Sequence, residues 1–284
     1  MELYRLKYFL SVAQQQNFHH AAKTTGISVA SLSKAVSGLE DELGVRLFER
    51  QGRNIRLTPS GLELRAKAKE IIELEESVRF SVSGGKSRIE AIITGPEVLL
   101  AKFGVDFIQP LLKNFNDIQI RYVGKEDKEA MEKVLLGDAD LALLTIEPDS
   151  RLTSKPLGKV HFVTCASENH TFGKTKGKIS ITEVLKYSFV VPDQFIYGSV
   201  QKQQSPDGWR DDMFPRKKSF LTSSLSTVVS LVHSGKALAY LPDYIAVAEG
   251  FKVVDVEGCP YTCTQEIRLV AKAPERLSWL NSLF

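Results

Sequence analysis

The chain has 284 residues, of which 43% are hydrophobic and 25% charged, so it is long and apolar enough for two or three domains with buried cores. It has no run of about 18 apolar residues, which excludes a membrane-spanning helix, and we do not expect its start, MELYRLKYFL, to be a signal peptide. The net charge of +3 comes entirely from residues 1–58, which hold eight Lys and Arg against five Asp and Glu. A basic head on a neutral body favours a polyanionic partner for that head.

Three short helices are predicted in the first 44 residues. Apolar residues at helical spacing predict the first helix over 3–15. Asn17 is suited to cap a second helix, and Gly26 is suited to end it. Ser28 is suited to cap a third helix that stops at Gly44. The apolar stripe of this third helix consists of Leu32, Val36, Leu39 and Leu43. Two helices separated by one glycine have the spacing of a helix-turn-helix.

The opposite face of the third helix carries almost no bulk. Its residues are Ala30, Ser33, Lys34 and Ser37. A helix that enters the major groove of DNA, which is about 12 Å wide, must be slim on that side and able to donate hydrogen bonds. This slim face therefore predicts a recognition helix, although the same pattern is also typical of an ordinary solvated face.

A β-hairpin is predicted after the third helix, in VRLFERQGRNIRLTPSG. Apolar runs at 45–48 and 55–57 flank the turn-prone residues QGRN. Arg50, Arg53 and Arg56 lie on and beside this hairpin, as in a wing that contacts phosphates or the minor groove. Thr58 and Pro59 then predict the start of a further helix.

These features together resemble the N-terminus of the LysR-type transcriptional regulators. The matching residues are Leu6, Phe9, Val12, Ala13, Asn17, Phe18, Ala21, Ala22, Ser28, Leu32, Ser33, Leu39, Glu40, Leu43, Gly44, Leu47, Phe48, Arg50, Leu57, Thr58 and Gly61. The family's usual Ser-Gln-Pro is Ser28-Val29-Ala30 here, and Ala35 stands where Gln is common, so the base contacts are not carried over. Our hypothesis is that Val29 and Ala30 contact thymine methyl groups while Ser33 and Lys34 hold bases or phosphates. The candidate DNA-binding residues are Ser28, Val29, Ala30, Ser33, Lys34, Ser37, Arg50, Arg53 and Arg56.

A charged helix is predicted from residue 59 to about residue 82. Its narrow apolar seam consists of Leu64, Ala68, Ile71, Leu74 and Val78. So narrow a seam needs a partner, which is either the head of the same chain or the same helix of a second copy. The resemblance implies the second alternative and hence a homodimer or homotetramer. SVSGGKS at 81–87 predicts a flexible joint.

Strand-like and helix-like runs alternate in the remaining two hundred residues, which predicts α/β units with mainly parallel sheets. Strands are predicted at 89–94, 119–123, 141–145, 189–191, 237–241 and 267–271, and helices at 96–114, 128–136 and 225–233. The segment 155–167 is predicted to cross into a second lobe, and RLSWLNSLF forms a short amphipathic end.

This region is similar to the effector-binding part of the same family. The matching residues are 137–142, 156–157, His170 and 230–242. The resemblance implies an N-terminal winged helix-turn-helix, mainly α, joined by a long linker helix to an α/β, two-lobed effector domain like a periplasmic binding protein. The domains we assign are 1–58 for DNA binding, 59–87 for the linker and hinge, 88–160 with 262–284 for the first lobe, and 161–261 for the second lobe.

A small molecule is expected between the lobes, where strands end and helices begin. The candidate effector-binding residues are Thr94, Gly95, Lys125, Thr145, Tyr197, Thr222, Ser223 and Ser224. Thr94 lies where the family often places a hydroxyl for an effector carboxylate. Each hydroxyl could instead cap a helix or turn, and Glu97 could itself occupy the positive end of its helix. The charge of the effector therefore stays open.

We expect neither a catalytic site nor a metal or other cofactor. The five histidines lack the spacing of a zinc site, and the sequence holds no nucleophile elbow or phosphate-binding loop. The odd number of cysteines predicts reduced thiols in a cytoplasm, although Cys259 and Cys263 could form a redox pair. The leading interpretation is a DNA-binding transcription regulator that senses a small molecule, with RNA polymerase as a further candidate partner. The alternatives are a small-molecule binding protein whose head makes protein contacts, a thiol-redox regulator, and an enzyme that uses the cleft.

Overall fold

The head folds as three helices, a hairpin and the start of a long helix. In a computed structural model of the protein, the described residues are 1–51, 54–82, 89–115, 117–200, 204–259, 261–276 and 278–284. The elements of the head and linker are α1 (Leu3–Gln15), α2 (Phe18–Thr25), α3 (Val29–Leu43), β1 (Phe48–Gln51), β2 (Asn54–Leu57) and α4 (Pro59–Val82). These bounds confirm the four predicted helices and the hairpin.

The first strand of the hairpin begins later than predicted, at Phe48 rather than at residue 45. The reason is that the backbone of Leu47 is already used elsewhere. Its N–H donates to Glu40 Oε1 at 2.8 Å, and its carbonyl accepts from the N–H of Thr58 at 3.0 Å. Residues 45–47 therefore form a connection that is fixed to α3 and to the start of α4.

The helix ends of the head are held by the residues that predict them. Asn17 Oδ1 accepts from the N–H groups of His19 and His20, and Ser28 Oγ accepts from the N–H of Ser31. Gly26 and Gly44 end α2 and α3 with φ of 70° and 68°, a left-handed conformation that favours glycine. The core beneath these helices contains Leu6, Phe9, Val12, Ala13, Ala21, Leu32, Val36, Leu39, Leu47, Leu57, Ala68 and Ile72.

The apolar seam of α4 divides into two parts. Ala68 is fully buried in the core of the head, and Leu64 and Ile71 pack at the edge of that core. Leu74 and Val78 lie beyond the head and are 57% and 55% exposed. Intramolecular packing thus explains the first half of the seam, whereas the described residues leave the second half exposed.

The C-terminal domain contains the elements that follow residue 88. They are β3 (Ile89–Gly95), α5 (Glu97–Phe103), α6 (Gln109–Asn114), β4 (Ile118–Gly124), α7 (Asp127–Leu135), β5 (Leu141–Leu144), β6 (Thr153–Ala166), β7 (Ile179–Ser180), α8 (Ile181–Val184), β8 (Ser188–Pro192), β9 (Lys217–Thr222), α9 (Leu225–His233), β10 (Ala239–Pro242), α10 (Asp243–Ala248), β11 (Lys252–Val253), β12 (Val256–Glu257), β13 (Thr264–Ala271), a 3₁₀ turn (Pro274–Arg276) and α11 (Ser278–Asn281).

The single helix predicted over 96–114 is wrong, because the structure has α5 and α6 separated at Gly104. The hydroxyl of Tyr122 on β4 donates to the carbonyl of Gly104 at 2.8 Å. A Cβ at residue 104 would lie 2.3 Å from the carbonyl oxygen of Leu100 and 2.9 Å from the ring of Tyr122. Packing against β4 therefore interrupts a pattern that by itself favours one helix.

The prediction of mainly parallel sheets is only partly right. β3 runs parallel to β4 and β5, whereas β13 runs antiparallel to β5 and β6, and β10 and β11 run antiparallel to β6. The order across this mixed sheet is β10-β6-β13-β5-β3-β4. β6 leads from the first lobe to the second and β13 returns to the first, so these two neighbouring strands run in opposite directions.

The long strand β6 is shared by the two lobes. Residues 153–161 pair with β13 beside the first lobe, which contains β3–β5 and α5–α7, whereas residues 162–165 pair with β10 of the second lobe. This change of partner falls next to our proposed lobe boundary. Within the described part of the chain, no helix combines the length and the apolar character needed to cross a membrane.

A buried ion-pair network orders the irregular segment 204–216 of the second lobe. Arg216 Nη1 lies 2.7 Å from Asp207 Oδ2, and both side chains are fully buried. Arg216 also pairs with Asp211 at 3.0 Å and lies over the rings of Phe189 and Trp209. Because a buried charge is costly without a partner, this network fixes segment 204–216. The sequence analysis did not predict the network.

Candidate nucleic-acid interface and interlobe cleft

The slim face of α3 is open to solvent. Ala30, Ser33, Lys34 and Ser37 are all exposed, while the opposite stripe of the helix is buried in the head. Val29 is half-buried at the first turn. Ser28 is exposed, but its hydroxyl is engaged in capping, because it accepts from the N–H of Ser31 and lies 2.9 Å from the hydroxyl of that residue. The structure therefore places the predicted recognition residues together, on one accessible side of a rigid helix.

The predicted arginines of the wing do not form one uniform set. Arg50 is opposite Ile55 in the hairpin and Arg56 is opposite Glu49, so the two arginines lie on opposite faces of the ribbon. Arg56 forms an ion pair with Glu49, whereas Arg50 is exposed and forms no ion pair with any described residue. Arg53 lies outside the described residues. Arg50 is thus the better candidate for a phosphate contact.

Glu40 is a residue of this interface that the sequence analysis did not identify as functional. It is 9% exposed, and its Oε1 accepts from the N–H groups of Leu47 and Phe48 at 2.8 and 3.4 Å. Its Oε2 accepts from Arg46 Nη1 at 2.7 Å. This carboxylate joins the end of α3 to the start of the wing and so fixes the angle between the two elements that are predicted to contact DNA. The sequence signal that could have identified Glu40 is its match to the family pattern at this position.

The candidate effector residues of the first lobe are already hydrogen-bonded within the chain. Thr94 is fully buried, and its hydroxyl donates to the carbonyl of Val123 at 2.8 Å. Lys125 pairs with Glu129 at 2.8 Å, and its N–H donates to the carbonyl of Gly95 at 2.8 Å. These three residues therefore have structural roles at the ends of β3 and β4.

Thr145 binds a carboxylate that the sequence analysis did not identify. The N–H of Thr145 donates to Asp127 Oδ1 at 2.6 Å, and its hydroxyl donates to Asp127 Oδ2 at 2.9 Å. The N–H of Ser199, which belongs to the second lobe, donates to Asp127 Oδ2 at 2.6 Å. A second contact between the lobes joins the Tyr244 hydroxyl to the carbonyl of Val98 at 3.3 Å.

The candidate residues of the second lobe serve the start of α9 or the core. The hydroxyl of Thr222 accepts from the N–H of Ser224, and Ser224 caps α9 by accepting from the N–H of Thr227. Ser223 is exposed. Tyr197 is 1% exposed, and its hydroxyl has no hydrogen-bond partner among the described residues. Burial raises the pKa of Tyr197 well above its usual value, so the hydroxyl is neutral.

The thiols offer little support for a redox pair. Burial raises the pKa of Cys263 to about 11 and that of Cys165 to about 12, so both are protonated near neutral pH. Cys259 is half-buried, and its thiol lies 3.6 Å from the carbonyl of Tyr261. The described residues contain no group of three His, Cys, Asp or Glu that could hold a metal ion.

A cavity of about 410 Å³ separates α4 from the first lobe. Its lining includes Ile71 and Leu74 of α4 and Leu280 of α11. Ion pairs join its two sides, since Lys272 lies 3.2 Å from Glu70 and Lys69 lies 3.9 Å from Asp140. Leu74, from the exposed half of the α4 seam, therefore borders this cavity.

Comparisons with known proteins identify two matched regions. Residues 3–62 match the bacterial regulatory helix-turn-helix proteins of the lysR family, and residues 92–280 match the LysR substrate binding domain. The HTH-type transcriptional regulator YbhD of Escherichia coli is 25% identical over 248 residues, which cover 85% of this chain and 76% of YbhD. The hydrogen peroxide-inducible genes activator of Haemophilus influenzae is 22% identical over 253 residues, which cover 88% of this chain and 83% of that protein. The solved structure of a full-length OxyR variant from Pseudomonas aeruginosa superposes with a TM-score of 0.70 at 22% sequence identity. The match covers 100% of this chain and 94% of the OxyR chain.

Proposed function

Because this chain belongs to the LysR family of bacterial helix-turn-helix regulators, we propose that its DNA specificity resides in the slim face of α3. The protein is a DNA-binding transcription regulator with an effector-binding domain. The family match assigns the head to DNA, so the alternative of a head used only for protein contacts is dropped. The finer proposal concerns the residues that read the DNA, the pairing of two copies and the small molecule that controls them.

The observation that carries this proposal is the exposure of small side chains along one side of a fixed helix. Ala30 and Ser33 leave the helix narrow enough to approach base edges, and Lys34 adds a positive charge beside them. Arg50 extends the positive surface onto the wing. In this proposal Val29 and Ala30 contact thymine methyl groups, and Lys34 and Arg50 hold phosphates.

Replacing Lys34 or Arg50 with alanine is expected to weaken DNA binding in a salt-dependent way. Each loss of a phosphate contact should make the negative slope of log affinity against log salt concentration shallower by about 0.9. Arg56→Ala serves as the matched control, since Arg56 is already paired with Glu49 and should change the slope much less. Fluorescence anisotropy over a salt series measures the three slopes. An unchanged slope in Lys34→Ala would contradict the assignment.

We place dimerisation on the C-terminal half of α4. Leu74 and Val78 are large apolar side chains that remain exposed at helical spacing, and Leu74 also lines the cavity beside α4. Exposed residues in such a row are typical of a surface that a second helix covers. Two heads joined in this way would bind half-sites separated by about 10 bp or a multiple of it. We expect the protein to act as this dimer or as a tetramer of two such dimers.

Leu74→Glu combined with Val78→Glu is expected to convert the dimer to a monomer. Two glutamate carboxylates buried between apolar helix faces would lose their hydration, which costs free energy of association. Val247→Glu is the control, since Val247 is 77% exposed on α10 and lies outside the seam. Sedimentation velocity at micromolar concentration distinguishes the two species. A double variant that sediments like the wild type would place the interface elsewhere.

The second part of the proposal is control by a small molecule at the cleft between the lobes. A ligand that bridges the lobes would change the arrangement of the protomers and hence the half-sites that they hold. This mechanism needs no cofactor and no catalytic step, and it operates in the cytoplasm, where the DNA and RNA polymerase are located. A thermal-shift screen of metabolites on the full-length protein tests it, and the absence of any stabilising metabolite would count against a ligand site.

A further inference from the structure

Asp127, at the first position of α7, is a fully buried carboxylate between the two lobes. Its three hydrogen-bond donors come from both sides, two from Thr145 of the first lobe and one from Ser199 of the second. We propose that Thr145 and Ser199 form a carboxylate-binding site across the lobes, and that the chain fills this site with its own Asp127. The proposal deepens the proposed function, since it rests on the two lobes acting as the sensor.

The geometry is that of anion recognition. The backbone nitrogens of Thr145 and Ser199 each lie 2.6 Å from an oxygen of the Asp127 carboxylate, which is short for an N–H···O bond. The hydroxyl oxygen of Thr145 is the third donor, at 2.9 Å. Because the carboxylate is shielded from water, these donors take the place of its hydration. Asp127 therefore connects the end of β5 to the second lobe, beside a direct contact of 3.3 Å between the Thr145 hydroxyl and the carbonyl oxygen of Ser199.

The loop that carries Ser199 is shaped for this contact. Gly198 has φ of 95°, and a Cβ there would lie 2.6 Å from Thr145 Cγ2. Only glycine therefore allows the loop to approach Thr145 so closely. The carbonyl oxygen of Ser199 in turn accepts from Gln265 Nε2 at 3.1 Å. The Ser199 backbone is thus held by its N–H and by its carbonyl oxygen.

The internal carboxylate has two consequences for the sensor. It holds the lobes together when no ligand is present, and it occupies the donors that a carboxylate effector would use at Thr145. Thr94 and Lys125 are also occupied, by the Val123 carbonyl and by Glu129. In this proposal a carboxylate effector would have to displace Asp127 before it could bind at Thr145.

Chemical rescue with formate tests the site directly. Asp127→Ala should lower the melting temperature of the full-length protein and leave a space lined by the three donors. Millimolar formate should then recover at least half of the lost melting temperature, relative to chloride at the same ionic strength. Wild-type protein should not respond, and adding Thr145→Val to Asp127→Ala should abolish the rescue because the hydroxyl donor is lost.

A second variant addresses the case in which Asp127→Ala does not fold. Asp127→Asn keeps the volume but directs an amide N–H at a backbone donor, so small-angle X-ray scattering should show more widely separated lobes and formate should have no effect. Equal formate responses in wild type and Asp127→Ala, or an Asp127→Asn variant with wild-type scattering and melting, would overturn the proposal. DNA affinity is measured on the same samples, because failed rescue with intact DNA binding contradicts only the internal carboxylate.

Discussion

Replacing Ser33 with glutamate is expected to reduce affinity for specific DNA on the order of 100-fold, or about 2.7 kcal/mol. Ser33 is exposed in the middle of the slim face of α3. A glutamate there would add bulk where the helix must approach base edges, and a negative charge where phosphates surround the groove. The two effects act in the same direction, which makes this the largest change that we expect from a single residue of the interface.

The measurement uses DNA sites that the wild-type protein selects from a random-sequence library, with affinity followed by gel shift at constant salt. Ser150→Glu is the matched control, since Ser150 is an exposed serine in a turn of the first lobe, far along the chain from the head. The control adds the same side chain and should retain wild-type affinity. If Ser33→Glu and Ser150→Glu bind equally well, the slim face is not the surface that contacts DNA.

The parts of the fold that sequence predicted well depend on neighbouring residues. The ends of α2 and α3 follow from Asn17, Gly26, Ser28 and Gly44, because a cap or a left-handed glycine acts within one turn of its own position. The split between α5 and α6 was missed because its cause is Tyr122, a side chain on another element. Helical periodicity carries no information about such a contact.

The candidate sites show the same division between local and distant causes. The exposed face of α3 was predictable, since the buried stripe of a helix determines which residues point the other way. At the cleft, a sequence pattern identifies hydroxyls near strand ends but not their partners. Thr145 was selected for an external ligand, whereas its partner is Asp127, eighteen residues earlier in the chain. Only the meeting of α7, β5 and the loop before Ser199 reveals that the acceptor is internal.

Gly61→Ala is expected to destabilise the head by about 3 kcal/mol. A Cβ at residue 61 would lie 2.1 Å from the carbonyl oxygen of Leu47 and 2.9 Å from Leu57 Cδ2. The carbonyl oxygen of Leu47 also accepts from the N–H of Thr58, so the Leu47 backbone cannot move away without displacing the wing. The clash therefore acts where α4, the wing and the connection from α3 meet.

Gly38→Ala is the matched control, because a Cβ there would meet only the flexible end of Arg5, at 3.0 Å. Alanine inside α3 should instead stabilise the helix by about 0.5–1 kcal/mol. Both tryptophans lie in the C-terminal domain, so hydrogen exchange of peptides from residues 1–82, rather than tryptophan fluorescence, reports the stability of the head. Faster exchange in Gly61→Ala but not in Gly38→Ala is the expected result. Equal protection in the two variants would mean that the start of α4 can move away from Leu47, and that the wing is not fixed through this contact.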